Sequence, residues 1–222
     1  DADSNLSGSI TAAGSSALKP LVDDAADLFN EKYPDVNITI DAGGSGEGLK
    51  QVSEGTVNIG NSDVEAAEKL DAAKAAELVD HKVCVVTMAP IVNKDVTAGG
   101  VKNLTKAQLT DIFTGKITNW KDLGGSDEAI VVIGREAASG TRGAFEELLE
   151  VKNKCAYAQE LDSTGAVLAK VAATPGAIGY VSLDVVDKTV AALKLDGVDA
   201  TEDNIKAVSY THLRAHETLA NL

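Results

Sequence analysis

The feature that most constrains this chain is a repeated order of segments: a short apolar run, a turn rich in glycine and serine, and then apolar residues at helical spacing. An apolar run followed by such a helix is a βα unit, and successive βα units favour a mainly parallel sheet. The apolar runs of the first three units are Ile10–Ala12, Val36–Ile40 and Val57–Gly60.

A second series of units follows a long apolar segment. Val83–Val92 has no helical period and is rich in β-branched residues, so it predicts a buried strand that ends near Pro90. Beyond it, Thr105 and Gln108 form a capping box for a helix, and Ile130–Ile133 leads through a glycine turn into another helix. We therefore expect a second lobe.

The predicted fold class is α/β, with two lobes of mainly parallel sheets flanked by helices. No low-complexity linker separates the two series, so a pair of hinged crossover segments fits the boundary better than a flexible tether. After the turn at Thr174–Gly176, the strand Ala177–Val181 is expected to return the chain toward the first lobe. The predicted division is residues 1–88 and 181–207 for lobe 1, 89–180 for lobe 2, and 208–222 for a tail.

The tail differs in composition from the rest of the chain. It holds two of the three histidines and one of the three arginines, and it resembles translated sequencing-adaptor read-through. We therefore expect residues 208–222 to be non-native and give them no part in function. His212 and His216 could in principle share a metal ion, but two ligands on a short tail do not define a site, and no metal is predicted.

Composition limits the classes of function. With a formal net charge of -14 and no cluster of basic residues, the chain lacks the basic face that nucleic acid selects. No apolar run approaches the roughly 18 residues that a membrane helix requires. Cys84 and Cys155 could form a disulfide or stay as buried thiols, and the sequence leaves both open. The chain begins at Asp1 without Met, so any export signal was removed or lies outside this sequence.

Arginine is placed unusually. Outside the tail the only arginines are Arg135 and Arg142, which bracket Ser139–Thr141, while seventeen lysines supply the other basic charge. A guanidinium is a planar, always charged donor fork that matches an oxyanion. Turns at Ala13–Ser16 and Gly44–Gly46 would also present amides and hydroxyls at a positive helix end. Each turn alone fits an ordinary helix cap, but together with the arginines they make an anion site the leading hypothesis.

Asp63 follows the third apolar run and has two interpretations. It could be the N-cap of a helix. Alternatively, it could lie in the anion site as an acceptor, which makes sense only if the ligand brings a proton to share. Hydrogen phosphate brings one and sulfate does not.

Six separated motifs carry a resemblance to a known family. They occur in the family's order and spacing between about Ser7 and Ala207, which makes the match specific. Together they resemble the phosphate-binding proteins of the high-affinity phosphate importer, an ATP-binding-cassette (ABC) system. The motifs are Ala13–Pro20, Gly44–Gly46, Asn58–Asp63, Ile112–Trp120, Arg135–Thr141 and Gly176–Tyr180.

The resemblance implies a two-lobed periplasmic-binding-protein fold that holds dehydrated phosphate in its cleft and closes by hinge motion. The serine and threonine hydroxyls and the amides of Ala17 and Gly140 would donate to phosphate, Arg135 would bind it through two donors, and Asp63 would accept its proton. The implied binding residues are Ser16, Ala17, Ser45, Asp63, Arg135, Ser139, Gly140 and Thr141, supported by Ser15, Gly46 and Arg142.

The resemblance also implies the protein's surroundings. It predicts an exported, monomeric receptor without a cofactor, in the periplasm or on the outer face of the cytoplasmic membrane, delivering phosphate to an ABC permease. Many relatives are lipid-anchored through a cysteine upstream of the position of Asp1. Relatives also continue beyond Ala207 with a segment that completes the first lobe. We therefore expect a truncated sequence whose first lobe has an unfilled core surface.

Two alternatives remain open at this point. One is a receptor for another oxyanion such as sulfate or molybdate, which a carboxylate at Asp63 would repel. The other is a phosphate-ester hydrolase, which is disfavoured because His81 is the sole credible histidine and no catalytic triad can be assembled. Of the remaining landmarks, Trp120 is expected to pack in the second lobe, His81 to face solvent, and Ser163 to cap a helix.

Overall fold

The predicted alternation of strands and helices is present in the computed structural model, which describes residues 6–201, apart from the Val85 side chain, and the backbone of residues 214–221. The helices are α1 (Lys19–Lys32), α2 (Ser45–Ser53), α3 (Ala72–Ala76), α4 (Lys94–Ala98), α5 (Lys106–Phe113), α6 (Gly140–Leu148) and α7 (Thr164–Ala173). The strands are β1 (Gly8–Gly14), β2 (Val36–Ala42), β3 (Ile59–Ser62), β4 (Val79–Val92), β5 (Asn103–Leu104), β6 (Val131–Arg135), β7 (Gln159–Leu161), β8 (Ala177–Ser182), β9 (Ala191–Ala192), β10 (Lys194–Leu195) and β11 (Arg214–Asn221).

The chain forms two units, each of which is discontinuous in sequence. The first comprises Asp1–Cys84, Ala138–Gly140 and His216–Leu222. The second comprises Val85–Ala137 and Thr141–Ala215. Ala138–Gly140, which leads into α6 and includes its first residue, therefore belongs with the strands and helices of the first unit.

The sheet of the first unit confirms the parallel arrangement predicted for the βα repeats. β1 lies between β2 and β3 and runs parallel to both. Ala12 on β1 is level with Ile40 on β2 and with Ile59 on β3. Since parallel strands all end at the same edge, the turns that follow β1, β2 and β3 are brought together there.

Helix α1 covers one face of this sheet incompletely. None of its residues is buried, and Leu21 is 48% exposed and Phe29 36% exposed. Between α1 and the strands lies an apolar groove of about 480 Å³, lined by Ile10, Ala12, Leu21, Val22, Ala25, Ala26, Phe29, Ile38, Ile40, Ile59 and Val83. The described residues of the first unit thus include an open apolar groove, while the unfilled core surface and the truncation expected from the resemblance stay predictions.

The sheet of the second unit has the strand order β4-β8-β6-β7 and is mixed. β6 runs parallel to β7 and β8, as βα units require, whereas β4 and β8 are antiparallel, from Met88↔Ser182 to Val92↔Ile178. Helix α7 packs on this sheet and contributes to its core. The fully or nearly fully buried core residues are Ile91, Ile133, Val167, Val171, Ala177, Val181 and Val190.

Two local predictions for the second unit are confirmed. Thr105 and Gln108 form the reciprocal capping box at the start of α5. Trp120 is 1% exposed, and its indole N–H donates to the Gly176 carbonyl at 2.9 Å. Trp120 is therefore a packing residue of this unit.

Residues 181–195 differ from the predicted division of the lobes. β9 pairs with β4 at Ile91↔Ala192, and β10 pairs with β5 at Leu195↔Leu104. Leu193 is fully buried beside them. This segment therefore packs with the second unit, and strands of two residues carry no alternation from which the sequence could have shown it.

The third βα unit predicts a helix after β3, and the alanine-rich segment found there is instead broken in two. It forms a 3₁₀ turn at Ala66–Glu68 and the five-residue α3. Asp71 caps α3 by accepting from the Lys74 amide at 3.0 Å. Alanine favours helix, but Asp71 favours a cap over a helix interior and divides the run.

The predicted non-native tail is described only as backbone from residue 214. There it forms β11, antiparallel to β3, with Leu219 level with Asn61. His212 lies outside the described residues, and so does the side chain of His216. The foreign origin of the tail stays a prediction.

The structure shows the state of the two cysteines, the exposure of His81 and the character of the helices. Cys84 and Cys155 are thiols, each half-buried, rather than a disulfide. His81 is exposed. Within the part of the chain that the structure describes, none of the helices has both the length and the apolar character needed to cross a bilayer.

The open groove yields a prediction about dye binding. Leu21 lines the groove, whereas Leu28 is on the same helix, is 67% exposed and does not line it. We expect Leu21→Ser to reduce the fluorescence of bound anilinonaphthalene sulfonate by about half, because the dye requires a continuous apolar surface. Leu28→Ser should leave the signal near that of the wild type. An equal loss in both variants would show that the dye binds elsewhere.

Candidate functional site

The turn after β1 is held in place by the turns after the neighbouring strands. The Gly14 carbonyl accepts from the amides of Gly43 and Gly44, each at 2.9 Å, and the Ser15 amide donates to the Asn61 carbonyl at 2.9 Å. Gly14 has φ 139°, and a Cβ there would lie 2.0 Å from the Asn61 carbonyl oxygen. Only glycine fits this approach, and Ser15 follows it directly.

Ser15 joins this turn to Asp63. The Ser15 hydroxyl donates to the Asp63 carboxylate, and its oxygen accepts from the Leu18 amide at 3.0 Å. Ser15 is 2% exposed and Asp63 is 4% exposed. A carboxylate this deeply buried requires hydrogen-bond donors, and Ser15 is one of them.

Asp63 does not cap a helix, so the N-cap interpretation is wrong. The next helical turn begins at Ala66, and Glu65 occupies its N-cap position. The Asp63 amide instead donates to the Ser45 hydroxyl oxygen at 3.0 Å. Asp63 therefore bridges the turn after β1, through Ser15, and the first residue of α2.

The segment before α6 packs against Ser45 and Asp63. The Gly46 amide donates to the Ala138 carbonyl at 2.9 Å. A Cβ on Gly140 would lie 2.1 Å from the Ser45 hydroxyl oxygen and 3.1 Å from the Asp63 Cβ. The absence of a side chain at Gly140 is thus what allows these turns to approach, and the N-termini of α2 and α6 meet beside a buried carboxylate.

Ser139 is fully buried within this cluster. The Lys69 ammonium donates to its carbonyl at 3.4 Å. The first unit therefore brings together five of the predicted residues and adds a lysine that the sequence analysis did not single out. The predicted residues are Ser15, Ser45, Asp63, Ser139 and Gly140.

Arg135 ends β6 in the second unit and is 1% exposed. Its guanidinium donates to the Leu161 carbonyl at 3.2 Å, the Asp162 carbonyl at 2.8 Å and the Thr164 hydroxyl at 3.1 Å. None of these three acceptors carries a formal charge. These three bonds fix the orientation of the planar guanidinium at the end of β6.

Arg142 is bound differently. Its Nε donates to Glu146 at 2.7 Å, and its Nη1 donates to the Arg135 carbonyl at 2.9 Å. Burial alone lowers the pKa of Arg142, but the bond and charge of Glu146 raise that pKa overall. Arg142 thus contacts the main chain of Arg135, which supports its predicted role behind the binding residues.

The remaining predicted residues lie at helix starts. Gly46 and Thr141 are each the second residue of a helix, and Thr141 is 3% exposed. Ser16 is half-buried in the turn before α1. The Ala17 amide, a predicted ligand donor, here donates to the Ser15 hydroxyl oxygen at 3.2 Å.

Thr164 is a residue that the sequence analysis missed. Ser163 caps α7 as predicted, accepting from the Ala166 amide at 3.2 Å, but its neighbour Thr164 holds Arg135. Two hydroxyl residues in succession at a helix start, where a cap needs one, were the available signal. Over the described residues, no group of three histidine, cysteine or carboxylate side chains is arranged to hold a metal.

Comparison with known proteins shows the family to which the chain belongs. A family model described as a PBP superfamily domain matches residues 1–221. The chain is 47% identical over 209 residues to the phosphate-binding protein PstS of Bacillus subtilis, covering 94% of this chain and 68% of that protein.

Solved structures give the same result. A phosphate ABC transporter substrate-binding protein of Clostridium perfringens, solved with bound phosphate, has a TM-score of 0.87 and 36% identity, covering 97% of this chain and 86% of its own. An ABC-type phosphate transport receptor of Vibrio cholerae has a TM-score of 0.71 and 31% identity, with coverage of 96% and 86%. These matches confirm the resemblance drawn from the six motifs: the chain belongs to the PBP superfamily and, within it, to the family of the phosphate-binding proteins PstS.

Proposed function

We propose that this chain is an extracytoplasmic receptor that binds inorganic phosphate and delivers it to the permease of an ABC importer. It acts by binding alone, as a monomer without a cofactor, and makes no covalent bond to its ligand. A lipid anchor upstream of Asp1 belongs to the same proposal. The names and ligand of its relatives support the class of protein.

One observation in this chain supports phosphate in particular. Asp63 is a buried carboxylate that lies beside hydroxyls and helix starts suited to an anion. Two negative charges about 4 Å apart repel by roughly 4 kcal/mol at an effective dielectric constant of 20, unless a proton lies between them. Hydrogen phosphate supplies that proton, so Asp63 accepts a hydrogen bond from it and repels fully ionised sulfate.

The other proposed contacts are donors. Ser16, Ser45, Ser139 and Thr141 offer hydroxyls, and Ala17 and Gly140 offer amides at helix starts. Arg135 supplies two charged donors. For the Ala17 amide to reach phosphate, its hydrogen bond to the Ser15 hydroxyl must give way when the ligand binds.

The role of Asp63 predicts discrimination between two similar anions. By isothermal titration calorimetry we expect the wild type to bind phosphate at least about 100-fold more tightly than sulfate, given the size of the repulsion. Asp63→Asn should weaken phosphate binding and strengthen sulfate binding, because the amide removes the repelling charge. Asp41→Asn is the matched control, since Asp41 is exposed in the same unit, and it should change neither affinity. Equal affinities for both anions in the wild type would refute this role.

The role of Arg135 predicts a loss of phosphate affinity even when the substituted residue keeps the positive charge. Arg135→Lys keeps the positive charge but removes the planar fork, so phosphate affinity should fall about 10-fold or more. Arg135→Ala should abolish most of the affinity. Thermal unfolding measured alongside separates loss of binding from loss of fold. Unchanged affinity in Arg135→Lys would mean that the fork does not bind the ligand.

The close approach at Gly140 predicts a position-specific effect of one methyl group. Gly140→Ala would force its Cβ into the Ser45 hydroxyl, so we expect weaker phosphate binding and a loss of about 1–3 kcal/mol in unfolding free energy. Gly165→Ala is the control, since Gly165 also lies at a helix start but has nothing within 4 Å of its added Cβ. Calorimetry and thermal melts should show the change only in Gly140→Ala.

A further inference from the structure

Both polar groups of the Arg135 main chain, the amide and the carbonyl, make hydrogen bonds to side chains. Its amide donates to the Tyr180 hydroxyl oxygen at 3.2 Å. Its carbonyl accepts from Arg142 Nη1 at 2.9 Å. The two side chains that hold it come from different elements, β8 and α6.

These two contacts are linked to each other through buried groups. The hydroxyls of Tyr180 and Tyr157 are 3.3 Å apart, and the Tyr157 hydroxyl donates to Glu146 Oε1 at 3.1 Å. The same Oε1 accepts from Arg142 Nε at 2.7 Å. The hydrogen bonds therefore form a closed ring. It runs from the Arg135 amide through Tyr180, Tyr157, Glu146 and Arg142 to the Arg135 carbonyl.

The direction of every bond in this ring follows from its chemistry. An ionised carboxylate only accepts, so Glu146 must receive the Tyr157 proton. The Tyr157 oxygen is then the acceptor for Tyr180, and the Tyr180 oxygen is the acceptor for the Arg135 amide. Burial raises the pKa of both tyrosines, so both stay protonated and able to donate.

Packing leaves the members of the ring little freedom. Tyr180 is 1% exposed and stacks on Phe145, with ring centroids 3.9 Å apart and planes 11° apart. A Cβ on Gly134, the residue before Arg135, would lie 2.3 Å from the Tyr157 ring. Glu146 is 3% exposed, and its second oxygen accepts from the Asn153 amide at 2.8 Å.

We propose that the ring of Tyr180, Tyr157, Glu146 and Arg142, named here the Arg135 ring, is a positioning device that sets the Arg135 guanidinium for anion binding. Its members act through the peptide groups of Arg135 rather than by touching the ligand. This inference rests on the proposed function, in which Arg135 binds phosphate. Tyr180, Tyr157 and Glu146 would then tune affinity although none belongs to the predicted binding set.

The test uses Tyr180→Phe, which removes the hydroxyl that accepts from the Arg135 amide and keeps the stacked ring. The chain has three arginines, so its guanidinium Nε–H signals can be resolved by nuclear magnetic resonance, and Arg135→Lys assigns the Arg135 signal by deleting it. In Tyr180→Phe we expect the Arg135 signal to shift without phosphate present, and phosphate affinity to fall about 5- to 20-fold. Tyr33→Phe, in the first unit, is the matched control and should change neither.

A second variant tests the ring as a unit. Glu146→Gln keeps the side-chain shape but turns one acceptor oxygen into a donor group, so it should also shift the Arg135 signal and weaken phosphate binding. If the ring acts as a unit, combining it with Tyr180→Phe should cost less affinity than the sum of the single losses. Full additivity would contradict the ring.

The outcomes separate this inference from the proposed function. If the variants lower the melting temperature but leave the Arg135 signal and the phosphate affinity unchanged, the ring is structural only and the inference is overturned. If the wild type fails to bind phosphate while the Arg135 signal still shifts, the proposed function fails and the positioning of Arg135 stands. If Tyr180→Phe does not fold, Tyr157→Phe gives the same readouts one bond further along the ring.

Discussion

The buried Asp63 carboxylate requires hydrogen-bond donors, and the turns of the first unit are packed around it. A carboxylate that is 4% exposed loses most of its hydration, which costs several kcal/mol unless protein donors replace water. Ser15 is such a donor, and two amides hold its own oxygen, so the turn after β1 has little freedom. Ser45 accepts from the Asp63 amide, and Gly140 lacks a side chain because Ser45 leaves it no room. Asp63 thus contacts the turn after β1 through its carboxylate, the start of α2 through its amide, and the space beside Gly140 through its Cβ.

The second unit buries charges of the opposite sign and treats its two arginines differently. Arg142 is paired with Glu146 and so is neutralised where it stands. Arg135 is oriented by two carbonyls and a hydroxyl, which accept from its guanidinium in three fixed directions. A lysine could not make several bonds in fixed directions at once. This difference explains why the chain uses arginine at these positions and lysine for ordinary surface charge.

The parts of the fold that the sequence predicted are those encoded locally. Alternating apolar runs and glycine turns predicted the parallel sheet of the first unit, and the three-residue spacing of Thr105 and Gln108 predicted the cap of α5. Contacts between residues far apart in sequence left no such pattern. Glu146 and Tyr157 are eleven positions apart in the sequence, and Arg135 and Tyr180 are forty-five apart. Neither the ring nor the role of its tyrosines could therefore be predicted from the sequence. The N-cap interpretation of Asp63 failed for the same reason, because Ser45 is a distant partner.

A chain of high net negative charge can still prefer an anion, because the exposed charges and the buried groups of the candidate site interact with a ligand over different distances. The net charge of -14 comes largely from exposed carboxylates such as Asp24 and Asp27, whose fields are screened within about 8 Å at physiological salt. The groups at the candidate site are buried, where screening is weak and each hydrogen bond to a charge is stronger. Under the role proposed for Asp63, selectivity among anions depends on whether the ligand can supply a proton to its carboxylate, and net charge has little influence on it.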